Sequence, residues 1–356
     1  MLTGTGNETE PKRLASLDAY RGLIMIFLVS HGFGFDALKG HPVWGVIADQ
    51  VDHVAWEGMV LWDLIQPAFM FMVGVAMPYS LANCAHGFSE NLIRVLLRAA
   101  KLVFLSQLFV IVQEGNFQFG LINVLSQIAL TYVICFLLMQ LSVRWQVAAA
   151  VALLSTHWAL FVLFPGPEGP FSKSGNVGQM LDWWLLGRNY SGYYVTINFL
   201  SSTVTTMLGV WAGELLRRDL AAEQKLKLLC IWGSGLIAAG LLLTAWNPMV
   251  KRIWTTSFTL TSGGLVVLGL AIMLWWVDMR NHRQLAFPLV VVGMNSIFVY
   301  VISQLCRGSI HRAVGVFGWG FQWAGTLAPV VHAWATLCVI WYACFWLYQR
   351  KVFFKI

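Results

Sequence analysis

Ten apolar runs dominate the sequence, at roughly 14–35, 59–83, 92–113, 121–141, 146–164, 196–217, 228–246, 254–277, 286–305 and 328–349. Each is near the ~20 residues a helix needs to cross a bilayer. Runs of that length leave few folds open. Backbone amides in hydrocarbon must bond within their own segment, so each run is expected to be a helix. The sequence therefore predicts an all-α integral membrane protein of about ten transmembrane helices. Composition agrees: 58% of the 356 residues are hydrophobic and 11% charged, against about 45–50% and about 25% in soluble domains. The third run carries Arg94, Arg98 and Lys101 in its first turns, where long cationic side chains snorkel to the headgroup level.

Loop cations set the expected orientation. With a cytoplasmic N-terminus, sixteen Lys and Arg fall on the cytoplasmic side and seven on the other, among them Lys39, Lys173, Arg188, Lys251, Arg252, Arg307 and Arg312. Both termini are then cytoplasmic. Residues 1–12 read as a disordered cytoplasmic tail and 13–356 as a single transmembrane domain. The first run lacks a small-residue cleavage signal and is read as a retained span. The basic residues are scattered between apolar runs, which excludes a nucleic-acid surface. Six cysteines occur without a CxxC pair. They are expected to pack as small apolar residues, with no metal and no disulfide framework.

Polar residues at the edge of a hydrocarbon layer are costly and mark candidate chemistry. The sharpest case is His53-Val-Ala-Trp56-Glu57-Gly58, followed by Asp63 and Pro67 inside the second run. An imidazole can take a proton from a hydroxyl or amine, or accept an acyl group. Asp63 is placed to orient it. The alternative is that His53 is one more interfacial polar residue. At the opposite boundary, Ser16 can cap the first helix, and Asp18 can pair with Arg21 three residues on. That end reads as a charge-anchored helix start or a positive mouth for a phosphorylated donor. Further polar residues lie in or beside later spans: Gln127, Asn198, Trp254, Ser257, Asn295 and Gln304. They can bond between helices or line one polar cavity. Lys251 and Arg252 precede the Trp254 helix on the His53 side. The loop 165–195 is rich in Gly, Trp and Tyr, suiting either a floor for a sugar-like ligand or an aromatic belt.

Taken together, these stretches resemble the transmembrane acetyltransferases of the heparan-alpha-glucosaminide N-acetyltransferase family. The resemblance rests on Arg13-Leu-x-Ser-Leu-Asp18-x-x-Arg21-Gly22, His53-x-x-Trp56-x-Gly58, Asp63-Leu-Ile-x-Pro67 and Phe69-x-Phe71-x-Val-Gly74. Two later stretches add to it: Lys251-x-x-Trp254-Thr-x-Ser257-Phe258 and Gly293-Met-Asn295-Ser-Ile-x-Val-Tyr300. It implies acetyl-CoA or another acyl-CoA as co-substrate on the cytoplasmic side and an amino sugar or envelope glycan as acceptor on the far side. His53 stands at the family's catalytic histidine, with Asp63 as its orienting partner. His31, Trp56, Asn198, Lys251, Trp254, Ser257 and Asn295 become the candidate acceptor-side set, and Arg13, Asp18, Arg21, Arg94, Arg98 and Arg280 the candidate donor-side set. The first helix departs from the family in ending Leu28-Val-Ser-His31 where an Asn is usual, so His31 or Ser30 stands in its place. Val60 and Gln66 replace a usual Thr and Phe. The expected setting is a bacterial inner membrane, with the lipid bilayer as partner and a homodimer as the candidate assembly. The competing class is a transporter or flippase for a sugar or lipid-linked glycan, although no inverted repeat is evident.

Overall fold

The computed structural model describes residues 14–82 and 87–354. Arg13 and the expected tail before it lie outside the described residues. Among the described residues the chain is helical without a strand. The helices are α1 (Ala15–Ser30), α2 (Gly45–Gln50), α3 (Ile65–Ala82), α4 (Phe88–Glu114), α5 (Val124–Leu138), α6 (Val143–Leu163) and α7 (Val177–Leu186). They continue as α8 (Phe199–Arg217), α9 (Ala222–Leu243), α10 (Thr256–Met273), α11 (Arg283–Met294), α12 (Ser296–Leu305), α13 (Arg307–Gly315) and α14 (Ala328–Gln349). Among the described residues, eight segments are long and apolar enough to cross a membrane, and the α11–α12 pair, bent by 67°, makes a ninth if it is counted as one broken span. The run expected at 121–141 is the shorter helix α5, because Asn123 caps it: its side chain accepts the Leu125 amide at 3.0 Å. Each of the ten apolar runs thus coincides with a helix or a broken helix, and the protein is a multi-pass all-α membrane protein.

Helix α8 is the buried centre, with Ser201, Ser202, Thr203, Thr205 and Thr206 all shielded. Two of its hydroxyls return to its own backbone, Thr203 to the Phe199 carbonyl at 2.6 Å and Thr206 to the Ser202 carbonyl at 3.3 Å, while those of Ser201 and Ser202 are buried without a partner. Backbones approach closely where glycine permits it. A Cβ on Gly74 of α3 would lie 2.0 Å from the Thr206 carbonyl oxygen, and one on Gly209 2.0 Å from that of Phe71. The α1–α11 seam repeats the device: added Cβ atoms on Gly22 and Gly293 would meet Leu289 and Asp18 carbonyl oxygens at 1.8 and 1.9 Å. These seams fix α3 against α8 and α1 against α11, and so position both ends of α1 and α3.

Two local details differ from expectation. Ser16 lies inside α1 and does not cap it; its amide instead donates to Asp278 Oδ2 at 3.1 Å. A carboxylate from the end of the α10 span thus meets the positive end of α1. The sequence offered a serine at the right spacing, but a carboxylate 262 residues away takes the amide. The second detail is the break at Asn295. Its side chain donates to the Val352 carbonyl at 3.1 Å and accepts the Phe354 amide at 3.1 Å. It therefore clamps the segment after α14 at the end of the bundle that carries Arg21.

The seams make a direct expectation. Gly209→Val should lower stability by about 1–3 kcal/mol or more through overpacking. Gly235→Ala in α9, with nothing within 4 Å of an added Cβ, should leave it unchanged or raise it by about 0.5–1 kcal/mol. Thermal unfolding of both variants in detergent measures the contrast.

Candidate active site

The chain leaves α2, turns through His53, and re-enters the bundle at a short 3₁₀ turn, Leu61–Leu64, that leads into α3. Asp63 on that turn is essentially fully buried, its side chain 1% exposed. Burying a carboxylate costs several kcal/mol unless charge and hydrogen bonds compensate. Three groups do so. The Val60 amide donates to Oδ2 at 3.2 Å. His53 Nδ1 lies 2.6 Å from Oδ1. The Lys251 ammonium lies 3.4 Å from the same oxygen and 3.3 Å from His53 Nδ1.

For the neutral imidazole this geometry selects the Nδ1–H tautomer. Lys251 has only donors, and so does Nδ1–H, so Oδ1 accepts from both and the two nitrogens merely sit side by side. Nε2 is then left with its lone pair. The imidazole is partly open, at 36% exposure, while its carboxylate partner is sealed. Burial pushes the Lys251 amine down to about 8, against the pull of Asp63. It remains a cation at neutral pH.

Lys251 is held by a rigid turn between α9 and α10. Thr255 Oγ1 accepts the Val250 amide at 3.0 Å, Ser257 Oγ donates to the Pro248 carbonyl at 3.1 Å, and Asn198 Nδ2 donates to the Arg252 carbonyl at 2.8 Å. The Gly58 amide donates to the Met249 carbonyl at 2.8 Å, tying this turn to the His53 loop. Ser257 and Asn198 thus brace the turn. Trp254 is wholly buried, its indole N–H 3.3 Å from Thr205 Oγ1, and belongs to the packing beneath the site.

Beside His53, the Trp56 indole donates to the Phe171 carbonyl at 2.9 Å, and its ring meets that of Tyr193 edge-on, centroids 6.4 Å apart. The Lys173 ammonium sits 4.7 Å from the Tyr193 ring centre. Tyr193 is exposed and has φ 64°, an uncommon conformation for a residue with a side chain. Tyr193 and Lys173 were not singled out from sequence, although the Gly/Tyr-rich 165–195 loop that carries them was.

At the other end, Arg21 and Arg98 line a cavity of about 310 Å³ with Phe69, Met72, Val73, Ala76 and Phe354. Arg98 donates to the Tyr132 hydroxyl at 3.2 Å, while its Nε is buried without a partner. Asp18 pairs with Arg21 at 3.4 Å. Arg94 and Arg280 are exposed and do not line this cavity; Arg280 lies over Trp275. Asn295 belongs to this end through Val352 and Phe354, away from His53. His31 is the left-handed C-cap of α1 and sits beside Arg307 and Asp36, without a contact to His53.

The all-α membrane bundle thus holds an imidazole against Asp63 at one end and a cationic cavity at the other. The catalytic-domain model of heparan-alpha-glucosaminide N-acetyltransferase matches residues 13–233. The chain belongs to that family of multi-pass membrane acetyltransferases. It is similar to the human and mouse heparan-alpha-glucosaminide N-acetyltransferases, 24% identical to each over 97% of its own length. It spans 60% of the length of those relatives.

Removing one charge should strand the other. Lys251→Met and Asp63→Asn are each expected to destabilise the fold by about 3–5 kcal/mol. The double variant should cost less than their sum by about 1–3 kcal/mol. Denaturation of the three variants in detergent closes the cycle; strict additivity would contradict the pairing.

Proposed function

We propose that this chain transfers an acetyl group from acetyl-CoA, bound at the Arg21–Arg98 cavity, to an amine or hydroxyl of a glycan presented at His53. The observation that carries this reading is the run from the 3₁₀ turn of Asp63 into α3. Asp63 sits on the 3₁₀ turn that leads into α3, and Gln66, Phe69, Val73 and Ala76 follow at helical spacing along α3 to the wall of the cationic cavity. Phe69 is six residues from Asp63, roughly 9–11 Å along the turn and helix. Between them Gln66 Nε2 donates to Gln127 Oε1 at 2.8 Å, and the buried Gln127 amide nitrogen has no partner.

The residues present suit such a donor. Two guanidiniums, one with an orphaned buried N–H, match phosphate oxygens, and Phe69, Met72 and Leu102 give an apolar wall for a carbon chain. At the far end Asp63 holds the Nδ1 proton of His53, and Lys251 neutralises Asp63. The Nε2 lone pair then either removes the acceptor's proton as its nitrogen or oxygen attacks the thioester carbonyl, or attacks that carbonyl itself and passes the acetyl group on. In both routes the thiolate leaves, and the imidazolium formed is stabilised by Asp63. Trp56 and Tyr193 offer apolar faces for a sugar ring, with Lys173 and Arg252 at the rim.

The test is acetyl transfer by purified protein in proteoliposomes, using labelled acetyl-CoA with glucosamine and with neutral glycan acceptors. His53→Ala should cut transfer by roughly 10²–10⁴-fold without loss of folding. Arg98→Gln should raise the KM for acetyl-CoA by roughly tenfold or more with little change in kcat. A fully active His53→Ala protein would sink the mechanism. Glycan movement across the vesicle without acetyl transfer would favour the transporter reading.

A further inference from the structure

A second site lies on the opposite flank of α1, and nothing in the proposed acetyl transfer uses it. Between α1, α11, α12 and α14 runs a groove of about 570 Å³ with a wholly apolar lining. Leu23 to Phe33 form one wall and Trp334 to Cys344 the other. On α1 the wall runs from Leu23 to Val29, with Phe33 beyond the helix end, and the α14 wall from Trp334 to Cys344 spans ten residue steps, roughly 15 Å along the helix. That is half of a ~30 Å hydrocarbon core, the depth of one leaflet.

The groove ends, at the His53 end of the bundle, beneath a cluster of basic side chains. Arg307 Nε donates to the carbonyl of Val29, a groove residue, at 2.8 Å, and its Nη2 donates to the Ser30 carbonyl at 3.1 Å. Among the described residues no carboxylate lies within ion-pair distance of this guanidinium; Asp36 is the nearest acidic influence. His31 follows Ser30 directly. His311 and His332 stack 3.8 Å apart, with His311 Nδ1 2.9 Å from Thr336 Oγ1 and His332 Nε2 donating to the His311 carbonyl at 2.9 Å. Phe33 stacks on Trp334, centroids 5.1 Å apart, where the groove meets this cluster.

We infer that this groove binds one anionic membrane phospholipid, an acyl chain lying between α1 and α14 and the phosphate resting against Arg307. An apolar slot of this kind holds no water, and its one-leaflet depth fits a lipid tail. A cation with no ionic partner at headgroup level supplies the complementary charge. A helix from a second copy fits less well: helix contacts in membranes favour small residues, whereas this lining includes Phe27, Trp334 and Trp341.

The test is native mass spectrometry of the purified full chain after exchange into phosphatidylglycerol or phosphatidylcholine vesicles. One phosphatidylglycerol should be retained per chain, roughly fivefold in preference to phosphatidylcholine, the effect of about 1 kcal/mol from one interfacial cation. Arg307→Gln should abolish the preference. Arg307 also ties down the end of α1, so a second variant is needed: Cys338→Trp, at an exposed groove position, should displace the lipid while sparing the fold. Equal retention of both lipids by the wild type, or undiminished retention by Cys338→Trp, would overturn the inference. So would palmitate retained as tightly as phosphatidylglycerol, or a second protein chain found in the lipid's place.

Discussion

A carboxylate sealed inside a membrane protein has to be answered by other groups, and in this chain the answer to Asp63 organises the site. One oxygen takes the Val60 amide; the other takes His53 and Lys251. An unpaired carboxylate here would cost more than most single interactions return, so the turn carrying Lys251 must be held firmly. Thr255, Ser257, Asn198 and the Gly58–Met249 backbone bond do that holding. The same arrangement keeps the Nδ1 proton of His53 in place and leaves Nε2 open. Stability and chemistry therefore rest on one buried charge.

The glycine seams serve the same end at longer range. Gly74 and Gly209 bring α3 against α8, and Gly22 and Gly293 bring α1 against α11, with no room for a Cβ at any of the four. Close backbone contact makes these helices a rigid frame. The stretch of α3 from Gln66 to Ala76, entered from the turn that carries Asp63, is then fixed relative to Arg21 on α1 and Arg98 on α4. A transferase handling a donor at one end and an acceptor at the other needs such a fixed span.

Much of this was legible in the sequence, and the failures have clear causes. His53 and Asp63 are ten residues apart in one short loop and turn, so local reading paired them. Asp18 and Arg21 meet for the same reason of helical spacing. Lys251 reads from sequence as an acceptor-side cation near His53, but its burial against Asp63 spans 188 positions and could not be read from spacing. Asn295 was grouped with the acceptor side because it is polar and intramembrane; the 67° bend at that residue carries it to the C-terminal segment instead. His31 was assigned to the site as the nearest polar substitute, yet it faces Arg307. Ser16 matched a capping pattern that Asp278 took over from another span.

The sequence by itself determined the class: apolar runs of bilayer length can only become helices, because an unbonded amide in hydrocarbon is too costly. It also determined the motifs that place the chain in its family, since these are local strings of residues. Which helices touch was decided by tertiary structure alone. Helix pairing in a membrane depends on where small residues let backbones meet, and many pairings share similar hydrophobicity. The contact of Lys251 with Asp63, the position of Asn295 and the groove beneath Arg307 all follow from that pairing. They join residues far apart in the chain, so no single stretch could display them.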